Sequence, residues 1–204
     1  MRSSGDGHGV AHFRPSDGLR GYADLAARYV EGVDYAIRLT PKPSRFAVVA
    51  PHGGRIENGT SEIARQIAGA THGLYLFEGL RPGRDNFDHL HLSSHLFDEP
   101  RCLDFIAGYD SVVTIHGYDN LDPGPPADVL LGGRDEGLKR SMAAAFSACG
   151  VSYLAQGHRY QGMARLNICN RSRRGEGLQL ELSAAFRQRE DWSGLVDAVR
   201  SVLA

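Results

Sequence analysis

Four residues have the types and placement from which metal-assisted hydrolysis can be built: His52, Glu57, His116 and Glu181. The apolar run Phe46 to Ala50 leads straight into Pro51-His52-Gly53-Gly54-Arg55-Ile56-Glu57, and Val112 to Ile115 leads straight into His116-Gly117. An imidazole just past a buried strand is rigidly held. Gly53 and Gly54 let the backbone fold tightly enough to bring Glu57 back beside His52. Two imidazoles and a carboxylate, with water or substrate as fourth ligand, make an open zinc site. Glu181 lies inside the run Leu178-Gln179-Leu180-Glu181-Leu182, where a buried, ionised carboxylate is costly without a partner. Beside a metal-bound water it would act as a general base. Each residue also has a plainer reading. A histidine after a strand serves as a cap or packing residue, Glu57 places negative charge near a helix N-terminus, and Glu181 fits the polar face of an edge strand. His-x4-Glu is not specific by itself.

The elements that must position these residues alternate between two patterns. Short runs rich in β-branched and aromatic residues predict strands at Tyr35 to Leu39, Phe46 to Ala50, Leu74 to Phe77, Val112 to Ile115, Val129 to Leu131, Val151 to Ala155 and Leu178 to Leu182. Helical patterns fall at Asp24 to Val30, Ser61 to Ala70, Arg101 to Ala107, Glu136 to Cys149 and Ser193 to Leu203. Ile63 and Ile67 stand four apart, and Leu138, Met142 and Ala145 repeat on one helical side. Such alternation predicts a single α/β domain over residues 21–204: a mixed, largely parallel open sheet with helices on both faces. Its ligand is expected beyond the carboxyl ends of the strands. Residues 1–20 are Gly/Ser/His-rich and read as a flexible N-terminal leader.

The chain has 204 residues, 42% hydrophobic and 23% charged, which is ordinary globular composition. At this size a core needs neither disulfides nor metal, so a metal here would be functional. The formal net charge of −1 argues against a dedicated nucleic-acid binder or a membrane-surface protein. No apolar run approaches the roughly 20 residues of a membrane span, and the N-terminus lacks the apolar region of a signal peptide. The three cysteines, Cys102, Cys149 and Cys169, read as reduced thiols of a cytoplasmic protein.

Other clusters compete for attention. His89-Leu90-His91-Leu92-Ser93-Ser94-His95 is faintly similar to the metal-binding run of metallo-β-lactamases, but its third histidine is one residue too far and the aspartate is missing. A polar loop near the cleft is the plainer reading. Gly132-Gly133-Arg134-Asp135-Glu136 could cradle an anion, although Asp135 is adequately explained as an N-cap. Arg165, Arg171, Arg173 and Arg174 form the most basic stretch: a solvated loop, or a carboxylate pocket in which Asn170 and Arg171 are the favoured pair and Arg187 a second choice. Cys169 has no indicated His or Asp partner and reads as a packed thiol.

Taken together, several stretches resemble the phage-type poly-γ-glutamate hydrolase family. They are Pro51-His52-Gly53-Gly54-Arg55-Ile56-Glu57-Asn58-Gly59-Thr60-Ser61-Glu62, Leu74-Tyr75-Leu76-Phe77-Glu78-Gly79-Leu80 and Phe97-Asp98-Glu99-Pro100. His116-Gly117-Tyr118, Leu131-Gly132-Gly133, Asn167-Ile168-Cys169-Asn170-Arg171 and Gly177-Leu178-Gln179-Leu180-Glu181-Leu182-Ser183 follow in family order. The resemblance implies a zinc carboxypeptidase-like fold, Zn²⁺ on His52, Glu57 and His116, and Glu181 as catalytic carboxylate. It also implies a substrate contact at His91, where the family has a histidine in a similar place. The charged stretch Arg81 to His95 departs from the pattern, so substrate choice can differ. The activity implied is zinc-dependent cleavage of amide bonds in an anionic glutamyl-type substrate, polymeric or small, such as poly-γ-glutamate. An N-acyl amino acid or small-peptide amidohydrolase of the same fold stays open. So does a non-enzymatic binding or phage replication-associated accessory protein.

Overall fold

The computed structural model describes residues 15–83, 85–119 and 127–204. Among these described residues, seven α-helices and seven strands occur in the order α1 (Tyr22–Ala26), β1 (Tyr35–Thr40), β2 (Phe46–Gly54), α2 (Thr60–Ala68), β3 (Gly73–Gly79), α3 (Asn86–Leu90), α4 (Pro100–Ala107), β4 (Ser111–Tyr118), β5 (Val129–Gly132), α5 (Glu136–Ala148), β6 (Tyr153–Leu154), β7 (Leu178–Ser183), α6 (Ala184–Arg187) and α7 (Ser193–Leu203). The strands form one sheet in the order β1-β3-β2-β4-β7-β5-β6. Its centre, β3-β2-β4-β7, is parallel. β1 joins β3 antiparallel, β5 joins β7 antiparallel, and β6 runs parallel to β5. The sheet is therefore mixed, open and largely parallel, as the sequence pattern predicts.

Helices cover both faces. On one, Val48, Ala50, Val113, Ile115, Leu178, Leu180 and Leu182 pack with Ile63 and Ile67 of α2, Met142 and Phe146 of α5, and Val199 of α7. On the other, Ala47, Val49, Tyr75 and Phe77 pack with Leu25 of α1, Leu90 of α3, and Cys102 and Ile106 of α4. No described helix is long and apolar enough to cross a membrane.

The departures from expectation are local. Residues 1–14 of the expected leader lie outside the described residues. Pro15–Gly18 forms a 3-10 turn, and Ser16 and Leu19 are buried. α1 is shorter than the Asp24 to Val30 pattern, because the chain turns through Gly32, at φ +85°, to enter β1. Only Tyr153–Leu154 of the Val151 to Ala155 run pairs, with β5. The short helices α3 and α6 span too few residues for periodicity to show them.

Two features place the site. Pairing of β2 with β4 ends at Val49↔Thr114, so the two strands part toward their carboxyl ends. Between Ala50 and Gly53 the register of β2 against β3 slips, with Ala50 opposite Leu76 and Gly53 opposite Glu78. Strict alternation from Val48 and Ala50 would send His52 into the first core. The bulge at Pro51, which has no N–H to give the ladder, turns it to the opposite face.

Glu99 ties the segment before α4 to the sheet. Its Oε2 accepts from the Cys102 N–H at 2.7 Å and from the Tyr75 hydroxyl at 2.8 Å, and its Oε1 accepts from Arg101. Glu99→Ala leaves a buried hydroxyl and a helix N–H without their acceptor. Urea unfolding should show a loss of about 2–4 kcal/mol.

Candidate active site

The turn after β2 is built around its glycines. Gly54 has φ +61°, and a Cβ there would stand 2.7 Å from the Gly79 carbonyl oxygen. The Glu57 N–H then donates to the His52 carbonyl at 2.9 Å, and the Thr60 hydroxyl donates to the Glu57 carbonyl at 2.7 Å. This closes the loop the sequence predicts and sets the Glu57 side chain beside His52.

His52 is buried, and its Nε2 lies 2.8 Å from the Leu92 carbonyl oxygen. A carbonyl only accepts, so Nε2 carries a proton and Nδ1 is the ring nitrogen turned toward the cluster. That Nδ1 is 3.1 Å from Glu57 Oε1 and 3.1 Å from His116 Nδ1. Glu57 Oε2 accepts from the Gly117 N–H at 2.7 Å and lies 3.9 Å from His116 Nδ1. Burial and the neighbouring His52 pull His116 well below the usual imidazole range, so its ring is neutral. Ser94 Oγ lies 3.5 Å from His116 Nε2. Three atoms able to ligate a metal, His52 Nδ1, a Glu57 carboxylate oxygen and His116 Nδ1, thus converge. A tetrahedral ion with bonds of about 2.0–2.1 Å sets its donors about 3.3 Å apart, close to these separations. The backbone carbonyl behind His52 is the usual outer partner of a metal-ligating histidine.

The structure adds His91 to this group. His52, Glu57 and His91 offer ligand atoms within 4.8 Å of one another. The His91 ring stacks on Phe87 at 4.2 Å, lies 4.1 Å from the His52 ring, and brings Nε2 to 3.6 Å from Glu57 Oε1. The other histidines of that run diverge. His89 pairs with the Tyr29 hydroxyl, and His95 is exposed at the cleft rim.

The cleft occupies about 1100 Å³ over the carboxyl ends of β2, β4 and β7. Glu181 lines it from β7, directly across the ladder from His116. β7 is an interior strand, between β4 and β5, so the edge-strand reading of Glu181 does not hold. Its leucines face the helical core, while Gln179 and Glu181 face the cleft. Arg187 comes from α6, which starts where the Ser183 hydroxyl accepts from the Phe186 N–H. Its guanidinium folds over Gly117 and donates to the carbonyls of Leu182 and Asn58. Burial lowers the pKa of Arg187, and Glu57, Asp119 and Glu181 oppose that shift.

Asn170 and Arg171 are placed elsewhere. Asn170 Oδ1 accepts from the Arg134 N–H, and Nδ2 donates to the carbonyls of Gly162 and Ala164, so the side chain braces a loop. Neither residue is among those lining the cleft, and Arg171 lies close enough to Cys102 to influence its thiol. Arg173 and Arg174 are exposed and pair with Asp110 and Glu176. Gly132 sits at the amino end of β7, the Gly133 N–H is used by the Gln161 carbonyl, and Asp135 caps α5. Cys169 is buried with its thiol pushed up by burial, as a packed residue. The polar residue that sequence reasoning passed over is Gln179, two before Glu181 and on the same face. Period-two alternation in that strand is the signal that marks it.

A family model described as poly-gamma-glutamate hydrolase matches residues 20–191. The SPbeta prophage-derived protein YoqZ of Bacillus subtilis (strain 168) is 36% identical over 159 residues, covering 76% of this chain and 55% of YoqZ. The chain thus spans little more than half of that relative. A solved bacteriophage poly-gamma-glutamate hydrolase superposes with a TM-score of 0.81 at 28% identity, over 90% of this chain and 95% of its own. A solved structure of YndL in an apo, zinc-free form gives 0.80 at 28% identity, over 91% and 96%.

Gly54→Ala tests the turn that pairs Glu57 with His52. A side chain at positive φ and against the Gly79 carbonyl should cost about 2 kcal/mol or more in urea unfolding. Wild-type stability would mean that the turn relaxes freely.

Proposed function

The chain belongs to the poly-gamma-glutamate hydrolase family, and from that membership we propose that it is a zinc-dependent hydrolase of amide bonds in γ-glutamyl chains. The observation that carries this reading is the convergence of His52 Nδ1, Glu57 and His116 Nδ1 within 3.1–3.9 Å of one another, with Glu181 on the adjacent strand. His52, Glu57 and His116 would hold the ion, and the donor set of two imidazoles and one carboxylate suits zinc with a position left open. Zinc bound there supplies a Lewis acid that acidifies water and polarises a carbonyl.

The chain's own groups do the rest. Glu181 takes a proton from the attacking water as the C–O bond forms. It returns that proton to the amine as the C–N bond breaks. Arg187 presents a fixed positive charge at the cleft, suited to a glutamyl carboxylate or to negative charge developing on the carbonyl oxygen. His91, half-buried between Phe87 and His52, lines the same cleft and would contact the substrate there. The free thiols Cys102, Cys149 and Cys169 suit a cytoplasmic setting.

Metal analysis and turnover test this reading together. His52→Ala and His116→Ala should lose bound zinc and activity, whereas His91→Ala should keep zinc and raise KM. Zinc retained in the His52→Ala, His116→Ala double variant would remove the proposed ligand set. Glu181→Gln keeps the shape but cannot accept a proton, so turnover should fall by about 10²–10⁴-fold with zinc retained. Arg187→Lys keeps the charge and loses the fork, and should weaken anionic substrates more than neutral ones. A panel of poly-γ-glutamate, α-linked peptides and N-acyl amino acids identifies the substrate class. Preference for N-acyl amino acids would overturn the polymer assignment.

A further inference from the structure

Behind Glu181 lies a chain of hydrogen bonds that no step described so far uses. Gln179 Nε2 donates to Glu181 Oε1 at 2.9 Å, and Asn167 Nδ2 donates to Gln179 Oε1 at 2.8 Å. Asn167 Oδ1 accepts from the Cys169 N–H at 3.1 Å. All three side chains are buried, with Gln179 at 3% and Glu181 at 5% exposure.

The direction of this chain can be argued from its ends. A backbone N–H only donates, so the Asn167 oxygen must face Cys169 and its amide nitrogen must face Gln179. The Gln179 oxygen must then face Asn167, and its nitrogen must face Glu181. The Tyr160 carbonyl oxygen, 3.3 Å from the same nitrogen, demands this orientation independently, because it only accepts. Both ends therefore force the one arrangement in which a donor points at the Glu181 carboxylate.

We infer that Gln179 and Asn167 are positioning residues for Glu181. Anchored on the backbone of the 3-10 turn Ile168–Asn170, they hold its carboxylate in one rotamer, with one oxygen accepting from Gln179. The inference rests on Glu181 being the general base of the proposed hydrolase. Asn167 and Gln179 also line the cleft, but this role is exerted through Glu181.

The test uses the full zinc-loaded chain, with kcat, KM, metal content and melting temperature measured for each variant. Gln179→Leu removes the donor, and kcat on poly-γ-glutamate should fall about ten- to a hundred-fold, as expected for a hydrogen bond to a charged group. KM and zinc content should stay within about twofold. Asn167→Asp should harm kcat more than Asn167→Ala. The aspartate accepts where the asparagine donated, which invites Gln179 to turn its oxygen toward Glu181. A role in folding alone predicts kcat losses that run parallel to losses in melting temperature. In a Glu181→Gln background, Gln179→Leu should change residual turnover by less than about twofold, since the group it positions is gone. A further tenfold loss there, or wild-type kcat in Gln179→Leu, overturns the inference. A second readout needs no substrate. In protein labelled with ¹⁵N-glutamine, the Gln179 side-chain amide should be protected from exchange and should shift on Glu181→Ala, and an unprotected, unshifted amide overturns the hydrogen-bond assignment. A wild type inactive on γ-glutamyl chains overturns the hydrolase reading and the relay's role in turnover, while the amide resonance still decides whether the bonds exist.

Discussion

The hydrogen bond from His52 Nε2 to the Leu92 carbonyl sets the chemistry of the site. It commits a proton to Nε2 and turns Nδ1 toward Glu57 and His116. Were the ring free to rotate, Nδ1 could satisfy itself with any donor. Held as it is, it faces a carboxylate oxygen and a second imidazole nitrogen, each 3.1 Å away. That convergence is what a candidate cation site requires. It depends on segment 91–99 being held over β2 and β3, which is the work of Glu99 at its far end.

The fold supplies this cluster with rigid supports. Parallel strands β2, β4 and β7 carry His52, His116 and Glu181 to the same edge of the sheet. Their other faces are committed to leucine, isoleucine and valine packed on α2, α5 and α7, so the polar faces cannot rotate away without exposing that core. Gly117 adds a backbone donor to Glu57, and its lack of a side chain gives Arg187 room to lie close to the carboxylates. Positive and negative groups are thereby gathered in one cleft, with neither buried unpaired.

Glu181 and its neighbours illustrate how a buried carboxylate is tolerated. A single charged residue inside an apolar strand is a liability in a two-faced core. In β7 it occupies the face turned to the cleft, and Gln179 and Asn167 lead its charge back to a backbone amide. The same alternation that buries Leu178, Leu180 and Leu182 exposes this polar line to the substrate side.

Much of this was legible in the residues themselves. Strand–helix alternation gave the α/β class, strand-end histidines marked the productive edge of the sheet, and Gly53-Gly54 announced the turn that returns Glu57 to His52. Those features are local, and local sterics and periodicity suffice to read them. Three things were not local. The face on which His52 emerges depends on a bulge at Pro51, where counting residues along the strand gives the opposite answer. The approach of His91 depends on α3, too short to leave a periodic trace, and on stacking against Phe87. The fate of Asn170 and Arg171 depends on which loop closes over them: proximity in sequence to the Glu181 strand suggested the cleft, but packing against Gly162, Ala164 and Arg134 spends Asn170 on the scaffold. Residue type and spacing determine which groups can do chemistry, whereas strand register and long-range packing decide which of them face one another, because those depend on contacts between segments far apart in the chain.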